Sequence, residues 1–185
     1  MTAFTSTLVI TIMQPTPDIT VTEQDRLDFA HKMFEFARQG DAEGLAPMLE
    51  RGLPPNMSNH KGDTLLILAS YHGHLEAARI LLQAGADANR FNDMAQTALA
   101  GAAFKGNLAM VELLLQFGAS ADFAPPGGKT PLMFAAMFNR VEIADLLLKH
   151  GAPADTRSSD GMTALELAHK MGAADTAAQL ERLAG

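Results

Sequence analysis

The sequence predicts an all-α solenoid, a stack of 33-residue helix-turn-helix-loop units, and three periodic features predict it. Thr64, Thr97, Thr130 and Thr163 stand 33 residues apart, and each is followed two positions later by a leucine, Leu66, Leu99, Leu132 and Leu165. Glycine recurs nine positions after the threonine (Gly73, Gly106, Gly172, with Asn139 in the remaining slot) and again at Gly85, Gly118 and Gly151, each followed by alanine. Paired leucines (Leu81 and Leu82, Leu114 and Leu115, Leu147 and Leu148) lie between the two glycine phases. A fixed period of this length marks a supersecondary unit that cannot bury its own apolar face and must stack on its neighbours.

Within a unit, Thr64 reads as an N-cap whose hydroxyl accepts from an early backbone N–H, opening a short helix through Tyr71 and His72 that Gly73 closes. A second helix from about Leu75 to Gln83 ends at Gly85, because a helix C-terminus favours a left-handed residue that glycine adopts cheaply. Pro131 follows Thr130 at the first helical position, where its missing N–H costs nothing. Asn56, Asn89, Asp122 and Asp155, four positions past the second glycine, are side chains able to bond nearby loop amides.

Read in this register, residues 26–58 form an irregular N-terminal capping unit with His31 at the threonine slot and Gly40 and Gly52 in phase. Internal units occupy 59–91, 92–124 and 125–157. Residues 158–185 close the stack, with Gln179 and Glu181 replacing leucine or isoleucine on what is expected to be the outward side of a terminal cap. Residues 1–25 lie outside the repeats. Phe4 to Met13 is Thr-rich and β-branched, and Pro15 and Pro17 separate it from the first unit. Three readings stay open for that stretch: a strand, a disordered tail, or an extension ahead of a true start at Met13.

The residues Gly62-Asp63-Thr64-Leu65-Leu66, Ala69, Gly73-His74-Leu75-Glu76, Leu81-Leu82 and Gly85-Ala86-Asp87-Ala88-Asn89 resemble the ankyrin repeat, and the resemblance covers residues 26–185. It implies an ankyrin-repeat solenoid, curved so as to present a concave face. Two departures stand out. The histidine that the family carries three positions after the threonine, bridging adjacent loops, is replaced by Ile67, Ala100, Met133 and Glu166, so weaker loop-to-loop bonding is expected. The loop Pro125-Pro126-Gly127-Gly128 lacks the usual acidic or amide residue at its start, and a hairpin tip of different shape is expected there.

With 185 residues, 48% of them apolar, the chain can bury a sizeable core without staples, and with no cysteine it forms no disulfide, cysteine-zinc site or thiol nucleophile. The first basic residue, Arg26, comes after the apolar N-terminal stretch, which argues against a secretory signal, and no run approaches 18 apolar residues. A cytoplasmic monomer with no membrane association is expected, and Asn56-Met57-Ser58 reads as a coincidental glycosylation match. The net charge of -7 disfavours binding to nucleic acid through a general field.

Gly128-Lys129-Thr130 imitates the end of a phosphate-binding loop, but Phe123 stands where that loop needs glycine, and the repeat already accounts for Thr130. His72-Gly73-His74 suggests metal only weakly, since histidines flanking a glycine turn diverge; His60 approaching His72 is the one pairing that keeps a metal- or ligand-sensing reading open. His31, His150 and His169 are isolated. No catalytic triad or carboxylate pair has motif spacing, so neither an enzyme nor a cofactor is expected.

The resemblance implies that partners contact the loop tips and the exposed side of the first helix of each unit. Seven positions after each threonine slot lie Arg38, Tyr71, Phe104, Met137 and Lys170, and eight after lie Gln39, His72, Lys105, Phe138 and Met171. Aromatic, Met and Arg residues are enriched at interface cores. Arg38, Tyr71, His72, Phe104, Lys105, Met137, Phe138 and Lys170, with Met94 at a loop tip, are therefore the candidate contacts for another protein. The alternative is that one or more rings pack sideways between repeats as core.

Overall fold

The computed structural model describes residues 22–184, so the stretch Phe4 to Met13 lies outside the described residues. Among the described residues, ten helices are arranged in five pairs: α1 (Glu23–Gln39) and α2 (Ala42–Glu50), α3 (Leu65–His72) and α4 (Leu75–Gln83), α5 (Ala98–Lys105) and α6 (Leu108–Gln116), α7 (Pro131–Met137) and α8 (Val141–Lys149), α9 (Ala164–Met171) and α10 (Ala174–Ala184). Odd-numbered helices pack side by side in an inner row and even-numbered ones in an outer row, each pair packing mainly on its neighbours along the stack. This all-α arrangement is the predicted solenoid.

Local chemistry explains the element starts. Thr64, Thr97, Thr130 and Thr163 each accept a hydrogen bond from the backbone N–H three residues on, and Thr163 completes a capping box with Glu166. Between the helices of the inner row, Ala69, Ala102, Ala135 and Ala168 are fully buried, small enough to let neighbouring helices approach. Leu81, Leu114 and Leu147 fill the space between rows with no exposure at all, each such leucine contributing about 2 kcal/mol by its burial.

At two of the turn glycines the next repeat leaves no room for a side chain. Gly40 and Gly106 are left-handed (φ 76° and 78°), and a Cβ on either would strike the residue 34 positions later: His74 at Gly40, and at Gly106 the Arg140 guanidinium at 2.7–2.8 Å. At position 139 the corresponding neighbour is Ala173, which has no long side chain, and asparagine stands there with φ 55°. Asn139 uses the space. Its Oδ1 accepts from the backbone N–H groups of Asp175 and Thr176 (both 3.1 Å) and its Nδ2 donates to Asp175 Oδ2 (2.7 Å), satisfying the first turn of α10 from the preceding repeat.

Loop side chains also bond across repeats. Asn56 Oδ1 accepts from Asp87 N–H (2.8 Å) while its Nδ2 donates to the Gly85 carbonyl (3.4 Å); Asn89 repeats this with Ser120 N–H (2.8 Å) and the Gly118 carbonyl (3.1 Å). The partners are thus in the next unit rather than nearby. The ladder stops at Asp122 because the residue one step on is Pro153, which has no N–H to donate. Asp122 instead accepts from Ser120 Oγ (2.5 Å).

The structure corrects some expectations and agrees with another, the altered hairpin tip before Thr130. The first helix begins at Glu23, capped by Thr22 in a box with Asp25, so the boundary between residues 25 and 26 cuts its first turn and His31 is an exposed mid-helix residue without a capping role. Thr22 and Asp25 carry the start signal, outside the 33-residue register. Gln179 is not on the outward side: it is buried against α8, with Nε2 donating to the Val141 carbonyl (3.3 Å) and to Asp145 Oδ1, whereas Glu181 is exposed and pairs with His169 (3.1 Å). Loop bonding without the family histidine persists at the first two hairpins, where Asn92 Nδ2 donates to Asp63 Oδ1 (2.7 Å) and Asp93 N–H to the Lys61 carbonyl (3.0 Å). At Pro125-Pro126-Gly127-Gly128 the left-handed residue is Gly127, one position earlier than in the repeats that place Gly62, Ala95 and Gly161 there, so this tip does differ.

Candidate interaction face

The inner helices α3, α5 and α7 read LLILASYH, ALAGAAFK and PLMFAAM. None contains a carboxylate. Each is apolar on its packed sides, and its last turn carries the larger side chains that reach the concave surface. Tyr71 is 40% exposed, and Lys105 Nζ lies 4.3 Å from the centre of its ring, close enough for a cation–π interaction. Phe104 meets Phe138 edge-on at 4.6 Å and Phe134 at 6.3 Å, separations typical of favourable aromatic pairs.

Of the sequence candidates, the fold brings Tyr71, Phe104, Lys105 and Phe138 into one connected group. Phe104, Met137 and Phe138 are only half-buried, so the rings pack sideways on one another and still offer a surface. Arg38 is exposed on α1 and ion-paired with Glu35; Lys170 is exposed on α9 at the other end of the row; and Met94, 64% exposed, stands on a hairpin tip. Phe134 is an aromatic member that the seven- and eight-residue offsets miss. It lies four positions after Thr130, one turn earlier on the same face of α7.

Beside this group lies a cleft of about 140 Å³ lined by Tyr71, Gln96, Ala100, Gly101, Phe104 and Phe134. Its walls are mostly apolar, and Gln96 supplies the polar rim.

The histidines are arranged differently from a ligand set. His74 Nε2–H donates to the Arg38 carbonyl (2.8 Å), tying the second unit to the first, and the His72 ring stacks on that of His74 at 6.2 Å. His72 titrates below its ordinary 6.5, first because partial burial disfavours the charged ring and then because His74, Arg38 and Lys105 repel added charge; Glu35 opposes the shift. His60 is exposed on its loop, and among the described residues no three His, Asp or Glu side chains gather to hold a metal ion. Lys129 approaches Asp160 (3.8 Å), and Thr130 caps α7, so the Gly128-Lys129-Thr130 sequence belongs to the repeat.

Stacked helix pairs with an open inner face define a helical-repeat scaffold. The model of ankyrin repeats in three copies matches residues 33–124 and 102–181, and the chain belongs to the ankyrin repeat family. An ankyrin repeat protein of Pseudomonas aeruginosa is 51% identical over 66 residues, which is 36% of this chain and 37% of that protein. The matched region therefore spans little more than a third of the relative's length. Ankyrin repeats are in general protein-interaction modules, and the family is generally non-enzymatic.

Proposed function

We propose that the chain binds another protein through its concave face, acting without catalysis as an adaptor or as an inhibitor or stabiliser of that partner in the cytoplasm. The observation that carries this reading is the ring cluster of Phe104, Phe134 and Phe138, with Tyr71 lining the same cleft, on inner helices that lack acidic side chains. Aromatic side chains give large contact area with few rotors to immobilise, and contiguous apolar surface of this kind serves association.

The test is affinity capture of the natural partner by the intact chain, followed by the double variant Phe104→Glu, Phe138→Glu and the single variant Tyr71→Ala. Co-purification should be abolished in the first and reduced in the second, with helical circular dichroism preserved in both. Tyr71 guards the test against unfolding, because its ring is exposed and removing it leaves the core intact. Undiminished capture by both folded variants would move the contact surface elsewhere.

A further inference from the structure

Gly101 holds the informative position. Four residues after the threonine, the other three threonine-capped units carry Leu68, Phe134 and Leu167, so their register puts a large apolar side chain where α5 has none. Backbone conformation does not demand this glycine, because Gly101 is not among the positive-φ residues. Packing does not demand it either: a Cβ there would meet only Tyr71 Cδ2, at 3.8 Å, an ordinary contact. Gly44, the other glycine within a helix, is different, since a Cβ on it would come within 2.8 Å of the Phe36 ring. Glycine in a helix interior lowers stability relative to alanine, yet at position 101 it opens the floor of the cleft between Tyr71 and Phe134.

That cleft, at about 140 Å³, matches the size of cavity, roughly 150 Å³, that admits a benzene-sized group. No carboxylate comes from the helices that form it, and the two beside its edge residues are already engaged: Glu35, near His72, by Arg38 and Gln39, and Asp63, near Gln96, by Asn59 and Asn92. Helices α3, α5 and α7 have no acidic residue, while Lys105 borders the cleft on the Tyr71 ring and His72 lies beside it; the outer helices α4, α6 and α8 carry Glu76, Glu112, Glu142 and Asp145. Gln96 accepts from Asn92 Nδ2 at its Oε1 (3.1 Å), which leaves its amide N–H groups at the rim as donors.

Building on the concave-face reading, we infer that the partner presents an acidic peptide segment whose single large apolar side chain enters the cleft floored by Gly101, with flanking carboxylates facing Lys105, His72 and the Gln96 amide. The missing side chain of the repeat is supplied in trans. The carboxylates set orientation and encounter rate, and the buried side chain supplies most of the affinity.

The experiment pans a displayed library of short random peptides against the intact chain and measures the enriched sequences by fluorescence anisotropy. Enriched peptides should be net negative around one Leu, Met, Phe or Tyr, and changing that residue to alanine should weaken binding by about tenfold or more. Gly101→Leu, which fills the cleft, should weaken binding by a similar factor; Lys105→Glu, a change at an exposed position checked for folding by circular dichroism, should weaken it about fivefold and flatten its dependence on salt. Enriched peptides that are basic or uncharged but lost on Phe104→Glu would overturn this inference and leave the concave-face reading standing. Peptides that bind Gly101→Leu, Lys105→Glu and Phe104→Glu as well as the original chain would overturn both, and so would a panel with no enrichment. A thymidine oligonucleotide that binds and is lost in the same variants would replace the acidic peptide with single-stranded nucleic acid and overturn the inference.

Discussion

Gly101 and His72 make opposite use of the same face. Gly101 leaves space without any backbone need for it, so Gly101→Ala is expected to raise unfolding stability by about 1 kcal/mol, read as an upward shift of the urea midpoint. A loss of stability would show that the cleft floor is structurally required. For His72, partial burial and the positive charges of Arg38 and Lys105 disfavour the imidazolium in the folded chain. The unfolded chain takes up the proton first as pH falls through 6.5, so the contribution of His72 to stability is complete above that value and declines toward its lower folded midpoint. An NMR titration should place that midpoint below 6.5, Lys105→Ala should raise it, and Glu35→Gln should lower it further. A midpoint at or above 6.5 in the free chain would contradict the crowding of positive charge around this ring.

At the scale of elements, bonds between repeats govern the loops. Asn89→Ala removes both its donation to the Gly118 carbonyl and its acceptance from Ser120 N–H, and is expected to cost about 2 kcal/mol in chemical unfolding. Asp122→Asn should give no comparable gain, because Pro153 has no N–H for the new side chain to accept from. Helix starts at Thr64, Thr97, Thr130 and Thr163 are legible in the sequence because a cap and its partner lie three residues apart. The partners of Asn56 and Asn89 lie 29–31 residues away and become visible only when the units are stacked. The same limit hides Gln179, which a substitution pattern marks as polar but only the packing of α10 on α8 shows to be buried. In the candidate site, the Tyr71, Phe104 and Phe138 row is set by the repeat register, whereas Phe134 and the cleft over Gly101 depend on where rings turn after the helices pack.

For the whole molecule, apolar surface is managed by stacking, so each unit protects the next. Deleting residues 158–185 would uncover the sides of α7 and α8 now covered by α9 and α10. The shortened chain is expected to melt at lower temperature, bind an apolar dye and self-associate in sedimentation; an unchanged, monodisperse melt would show that the last unit adds no protection. Charge is partitioned along with apolar surface. Although the chain carries a net charge of -7, its three central inner helices have no carboxylate, so the excess negative charge resides on the outer helices, the loops and the terminal units. Among the described residues, no helix is long and apolar enough to cross a bilayer. The side chain of Asn139 carries one more consequence. Because it completes the start of α10 from the unit before, the last repeat is not a free-standing module: a designer who transplants it onto another array must also move its predecessor, and any duplication that inserts a repeat between the two must recreate an asparagine facing an alanine at the new junction.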